Sequence, residues 1–343
     1  MQIRKLLLAA AVLACAALAG GQLRGAATGV RLAAVPAKPA ARAHARRKAL
    51  PRRVDAKKAA AVAAPNDPLW QASWGLRAVG APGIWRWGTG APSIVVAVVD
   101  TGVDPTQPDL AGALVPGWNT IAGNADTTDD VGHGTAVAGV IAARSGNGVG
   151  GTGLCGRCAV MPVKALDARG GGNSQTVADG IEWATAHGAR VINLSLMLEH
   201  QDAAVTRAVA DAVARGVVVV AAAGNNASTT PNYPAADAGA IAVAGDDAGS
   251  QLYAWSARGG WVTVAAPGCN QATQKAGGFG EFCGTSSAAA AVSGLVALGL
   301  ADSGASGAAA RTALVATAAA TPSLPRVDGT AFIQSLLGAG ARS

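Results

Sequence analysis

Residues 95–104 read VVAVVDTGVD. An unbroken run of β-branched and small apolar residues, closed by a carboxylate and a glycine, is the pattern of a strand covered on both faces. A half-exposed strand would alternate. The run places Asp100 at the carboxyl end of that strand, where reacting groups gather in open α/β sheets. Alone, such an aspartate reads equally as a strand-end cap or turn residue.

Similar runs recur on either side. Ser93–Val99, Ala159–Ala165, Val191–Leu196, Val217–Ala223 and Ala240–Ala244 are predicted strands, and helices are predicted near His133–Ala143, Thr176–His187 and Ala203–Arg215. The last two end in His187-Gly188 and Arg215-Gly216, a basic last turn followed by a glycine stop. Strands alternating with helices predict an α/β fold with a mostly parallel central sheet, helices on both faces and right-handed crossovers.

Three further segments carry chemistry. GHGTAVAG (132–139) sets His133 between glycines, CGTSSAAAAVSG (283–294) sets Ser286 at the mouth of an Ala-rich stretch, and VVVVAAAGNN (217–226) ends a buried run on Asn225. A serine hydroxyl needs an imidazole to take its proton, and that imidazole needs a carboxylate to hold its tautomer. Singly, His133 reads as a turn residue and Ser286 as a helix N-cap. Those readings leave the Asp–His–Ser order unexplained. The α/β-hydrolase alternative requires G-x-S-x-G and another order, and Ala288 breaks that pattern.

In these motifs the chain resembles the subtilisin-family serine proteases (subtilases), thermitase-like branch, over roughly residues 66–338. The resemblance implies a subtilisin-like three-layer sandwich and an endopeptidase. Ser286, directly after Gly-Thr, would be the nucleophile, His133 the general base, Asp100 its orienting carboxylate, and the Asn225 amide an oxyanion donor. A polypeptide substrate would lie extended between Gly170-Gly171-Gly172 and Ser195-Leu196-Met197, with Asn232 at the pocket wall and Tyr233-Pro234 a candidate cis peptide. Where the family carries two glycines after Ser195-Leu196, this chain has Met197 and Leu198, which predicts a reshaped pocket. Ser287, Ala290 and Ala136 replace a family Met, Pro and His. Structural calcium is implied through Asp67, Asp109 and Asn147, although the loop RSGNGVGG (144–151) is shorter than the family's. Cap and turn roles are the competing reading of those three. A catalytically silent peptide-binding module on the same fold is the alternative to an active enzyme.

Composition bounds the setting. The formal net charge of +7 comes from the N-terminal tail: residues 1–65 hold 13 Lys and Arg against Asp55 alone, and the remainder holds 14 bases against 19 acids. An acidic folded part disfavours a nucleic-acid partner. Residues 1–19 read as a secretory signal peptide, with a Lys/Arg start, an apolar run and Ala17-Leu18-Ala19 ahead of the cut. A competing lipoprotein reading of Val12-Leu13-Ala14-Cys15 would leave a lipid anchor at Cys15. Residues 20–65, rich in Ala, Pro and basic residues, read as a linker or short pro-segment too polar to bury a core. Residues 66–338 would form the peptidase domain and 339–343 a tail. No membrane span is expected beyond the leader, and the product is expected to be a monomer, secreted or in the cell envelope. Setting Cys15 aside, Cys155, Cys158, Cys269 and Cys283 form an even set. In an exported enzyme this reads as disulfides, paired by proximity as 155–158 and 269–283. A redox or zinc role for CGRC finds no second CxxC and no His at ligand spacing.

Overall fold

The structure is a computed structural model that describes residues 29–32 and 63–340. The expected leader, Cys15 and most of the linker lie outside the described residues. The strands are β1 (Gly29–Leu32), β2 (Val95–Asp100), β3 (Trp118–Asn119), β4 (Ala159–Lys164), β5 (Gly171–Asn173), β6 (Val191–Leu194), β7 (Leu196–Leu198), β8 (Val218–Ala222), β9 (Ile241–Asp246), β10 (Val264–Pro267), β11 (Cys269–Gln274) and β12 (Gly278–Cys283). The α-helices are α1 (Trp74–Ala78), α2 (His133–Ala142), α3 (Ser174–Ala186), α4 (Ala203–Ala214), α5 (Thr285–Ser303), α6 (Gly307–Thr317) and α7 (Gly329–Gly340).

Seven strands form the central sheet in the order β10-β9-β8-β6-β2-β4-β3, all parallel. From β2 the chain builds outward on one side through β3 and β4, and on the other through β6, β8, β9 and β10. The order therefore reverses beside β2, and its carboxyl end is the switch point at which such sheets bind ligands. Asp100 is the last residue of β2.

Every residue of β2 is buried, and successive side chains enter opposite layers. Val96 and Val98 join a core with α2 and α5 residues, and Val95, Ala97 and Val99 join one with residues of α3 and α4. This double coverage explains why the strands lack polar alternation. It also settles the nature of α5. That helix is long and apolar enough to cross a membrane, but 94% of its apolar window is buried inside the protein, so it is the core helix of the sandwich. Asp202 caps α4 by accepting from the N–H groups of Ala204 and Val205, as its place ahead of the helix requires.

Two smaller sheets complete the fold. β11 and β12 form an antiparallel hairpin clamped by the Cys269–Cys283 disulfide, and Cys155–Cys158 closes a turn before β4. Both bridges pair as their proximity predicts. The other sheet, β5-β1-β7, is antiparallel and places β1 between two segments of the folded domain. Nothing in the sequence pattern of β1 announces this.

Candidate active site

Asp100 and His133 meet in the interior. Nδ1 of His133 lies 2.8 Å from Oδ1 and 3.0 Å from Oδ2 of Asp100, and the two side chains are 6% and 0% exposed. Gly134 makes the approach feasible, because a Cβ there would stand 2.4 Å from the Gly102 carbonyl and 2.8 Å from Asp100 Cβ. Burial alone would lower the imidazole's affinity for a proton. The charge and hydrogen bond of Asp100, helped by the charge of Asp129, outweigh it and hold His133 above its ordinary value. Nε2, the nitrogen left to exchange a proton, is buried without a hydrogen-bond partner among the described residues.

Ser286 lies in the first turn of α5, 0% exposed, with Oγ 3.4 Å from the Ser195 carbonyl oxygen. The positive end of the helix dipole therefore sits at the hydroxyl. Asn225 follows β8 by three residues, and its Oδ1 accepts from the N–H and the hydroxyl of Thr285, both at 2.9 Å. Fixing one end of a planar amide fixes the direction of its N–H donors. Thr285 Oγ1 in turn accepts from the Gly224 N–H at 3.0 Å, so one hydroxyl ties the loop after β8 to the start of α5.

The two glycine-rich and Ser-Leu-Met segments form facing edges, β5 and β7, and β1 pairs antiparallel with both. Met197 Sδ lies 3.8 Å from Asn226 Nδ2, and Asn226 and Asn232 exchange hydrogen bonds at 3.1 and 3.2 Å. Asn232 Nδ2 also donates to the Ala223 carbonyl at 2.7 Å, and the Tyr233–Pro234 peptide is cis. Gly224, at φ +109°, lies directly beneath this cluster: a Cβ there would be 2.6 Å from Asn232 Nδ2 and 3.1 Å from Met197 Sδ.

A family model described as "Subtilase family" matches residues 91–340. The chain belongs to the subtilase family. Thermitase from Thermoactinomyces vulgaris is 39% identical over 256 residues, which span 74% of this chain and 91% of thermitase. Subtilisin Savinase from Lederbergia lenta is 38% identical over 226 residues, 66% of this chain and 82% of that protein. A solved protease from Pseudoalteromonas arctica superposes with a TM-score of 0.73 at 27% identity, covering 80% of this chain and 100% of that one. This subtilase is thus a subtilisin-like serine protease with the α/β sandwich expected for it.

The three oxygen-bearing residues expected at a cation site also converge in the subtilase. Asn147 Nδ2 donates to Asp109 Oδ1 at 2.8 Å, and Asp67 accepts from the N–H groups of Gly146 at 2.8 Å and Asn147 at 3.0 Å. Burial pushes the Asp109 carboxyl up to about 7 despite hydrogen bonds from Asn147 and Gly151, and the nearby Asp67 charge adds to the rise. Asp67 and Asp109 are both buried, and two carboxylates beside an amide side chain are oxygen-bearing groups of the kind a hard divalent cation takes, whose charge would relieve the repulsion between them.

Several supporting residues escaped the sequence reading. Asp129 is buried and accepts from Thr101 Oγ1 at 2.8 Å, Gly132 N at 2.7 Å and Thr135 N at 2.9 Å, which caps α2 from behind His133. Its place four residues before His133, at a helix start, was the available signal. Lys164 Nζ donates to the carbonyls of Thr101 and Thr128 and to Asp130, pinning the loop between Asp100 and His133. Asn193 donates to Ser195 Oγ at 2.8 Å and accepts from Ser293 at 3.0 Å, all buried. Phe282, beside the disulfide, packs edge-on against the His133 ring at 5.4 Å. Nothing local marks Asn193 or Phe282, since each acts on a residue far away in sequence.

Proposed function

We propose that this subtilase is an exported endopeptidase that hydrolyses peptide bonds through an acyl-enzyme on Ser286. The observation that carries the reading is the buried His133–Asp100 pair, with Nδ1 held at 2.8 Å and Nε2 left to exchange a proton. In this reading His133 takes the Ser286 proton as the hydroxyl attacks the carbonyl, then delivers it to the leaving amine. Asp100 keeps the tautomer and stabilises the imidazolium. The Asn225 amide and the backbone N–H at the start of α5 receive the oxyanion, and one such side-chain donor is worth about 3 kcal/mol in kcat in subtilisin.

Gly170, Gly171 and Gly172 on one side, with Ser195, Leu196 and Met197 on the other, would pair with an extended polypeptide, and Asn232 would bound its side-chain pocket. That β1 lies between those same edges supports the assignment. Calcium would be held by Asp67, Asp109 and Asn147, stabilising the native state. Export follows from the leader over 1–19, with 20–65 as a linker or short pro-segment, 66–338 as the catalytic domain and 339–343 as a tail. A lipid anchor at Cys15 is the alternative fate, and the mature protein is a monomer outside the cytoplasm or in the envelope.

Labelling with a fluorophosphonate tests the reading. The wild-type protein should be modified at Ser286 and should degrade casein, and Ser286→Ala should lose both properties while Ser287→Ala keeps them. A folded chain that binds peptides but takes no label would be the catalytically silent module.

A further inference from the structure

The base and the nucleophile stand on different helices, and one hairpin touches both. His133 opens α2, and Ser286 lies in the first turn of α5. The register of β11 and β12 sets Asn270 directly opposite Phe282. Cross-strand partners share one face of a sheet, and here each reaches a different helix. Phe282 packs edge-on against the His133 ring, with the centroids 5.4 Å apart. Asn270 Nδ2 donates to Ser287 Oγ at 2.9 Å, next in the chain to the nucleophile. β11 is also fastened to α2, because Thr273 Oγ1 donates to the Thr135 carbonyl at 3.3 Å. Gly139 of α2 permits that approach, since a Cβ there would stand 2.9 Å from the Thr273 nitrogen.

The imidazole needs such a neighbour. Asp100 grips it at Nδ1, whereas Nε2, on the far side of the ring, is buried with no hydrogen-bond partner among the described residues. A ring held at one nitrogen can rock about that anchor, and rocking displaces the far nitrogen most. A second ring packed against it limits the swing. Phe282 is the one buried residue of β12, at 4% exposure, so the strand's single inward side chain is the one that meets the base.

A two-stranded hairpin is marginal on its own in water. The Cys269–Cys283 bridge joins the strands at the pair adjacent to Asn270 and Phe282, so the clamp acts where the contact is made. Directly after it, the Gly284 N–H donates to the Gly268 carbonyl at 2.8 Å and leads the chain into α5.

We propose that Phe282 is a positioning residue for the general base, held in place by the Cys269–Cys283 bridge. This rests on the protease reading above. Phe282 takes no part in proton transfer; it keeps Nε2 of His133 aligned with the Ser286 hydroxyl. A misplacement of about 1 Å at such a site costs on the order of a hundredfold in rate.

Full-length chains decide it: wild type, Phe282→Ala, Phe282→Leu, the double variant Cys269→Ser/Cys283→Ser, and Ile333→Ala, all assayed well below the lowest Tm. Ile333 is buried in α7, outside the hairpin and the helices that carry the triad, and its truncation controls for lost stability alone. The readouts are kcat and KM on a peptide substrate, and exchange of the His133 Nδ1 proton with water by 1H NMR, assigned through its loss in His133→Gln. Phe282→Ala and the double cysteine variant should lose about tenfold or more in kcat with little change in KM, and their Nδ1 proton should exchange about tenfold faster or more. Phe282→Leu keeps apolar cover over the ring and should recover most of both, and Ile333→Ala should alter neither. Wild-type kcat and exchange in Phe282→Ala overturn the proposal. A loss confined to KM, which would set Phe282 against substrate, overturns it too, as does an equal change in Ile333→Ala. A double cysteine variant that matches wild type overturns the role of the bridge. A wild-type chain that takes no fluorophosphonate label overturns the protease reading instead, and proton exchange still decides whether Phe282 holds the imidazole.

Discussion

Asp129 accepts from the backbone N–H of Thr135 at 2.9 Å across the first turn of α2, which sets a second buried carboxylate behind His133. It is joined to Asp100 through the Thr101 hydroxyl, at 2.8 Å on one side and 3.3 Å on the other. The arrangement separates two tasks: Asp100 grips the imidazole, and Asp129 fixes the helix that carries it and adds negative charge.

That division predicts a shift in pH profile. The Asp129 charge helps to raise the His133 pKa, and a general base works only when neutral. Activity therefore rises as pH climbs through the raised value. Asp129→Asn removes the charge and keeps one of the two acceptor oxygens that serve Gly132 N and Thr135 N, so the acidic limb of kcat/KM should move to lower pH. An unmoved limb, with activity scaled down uniformly, would show that Asp129 acts through the helix alone.

Thr285 should matter to catalysis without being a triad member. Thr285→Val keeps the shape but leaves the Gly224 N–H without its acceptor and removes one of two donors to Asn225 Oδ1. Leaving a buried group unsatisfied costs about 1–3 kcal/mol. The expected result is a fall in kcat of tenfold or more with little change in KM, and recovery in Thr285→Ser. A change confined to KM would contradict the role.

Met197 lies against Asn226 and above Gly224, where two glycines would leave the strand edge open. Poor cleavage after large aromatic residues is expected. Met197→Gly should raise kcat/KM for bulky peptides tenfold or more and leave small-residue substrates nearly unchanged, because one pocket contact is worth about 1–3 kcal/mol. Identical side-chain profiles for the two enzymes would place Met197 outside the pocket.

Calcium should raise the Tm through Asp67, Asp109 and Asn147. A cation at 100 times its Kd stabilises the native state by about 2.7 kcal/mol, several degrees for a domain of this size. Asp109→Asn should abolish the difference between melting curves in excess calcium and in EDTA. Superimposable wild-type curves would leave these residues as caps and turns.

Asp302 is a separate liability in α5. Burial lifts its carboxyl to about 7, and its Oδ2 has no hydrogen-bond partner among the described residues. The folded state binds this proton more tightly than the unfolded chain, for which the value is 3.8. The resulting stabilisation is full below that value and is lost as pH rises through about 7. Asp302→Asn has no proton to lose, so its Tm advantage over wild type should grow between those limits and level off above them. The gain should reach at most about 4 kcal/mol, less for the residue's partial exposure. A constant offset from pH 4 to 9 would rule out titration of Asp302 as the cause.

The sequence by itself determined the layers and the motif order. Apolar runs such as 95–99 and 217–223 mark strands covered on both faces, because burial of β-branched side chains is a local property that any neighbouring helix can satisfy. His133 opening a helix, Asn225 following a strand and both disulfide pairings were legible for the same reason, since each depends on residues adjacent or nearly so. Tertiary structure alone decided which distant groups support the site. Asn193 reaches Ser293, Thr285 holds Asn225, Phe282 packs on His133 and Lys164 fastens the loop behind Asp100, all across separations that no periodicity encodes. The clearest case is Gly29–Leu32. Four residues in a polar tail carry too little apolar surface to specify a strand, and only the β5 and β7 edges of the folded domain, with which they pair, make them one.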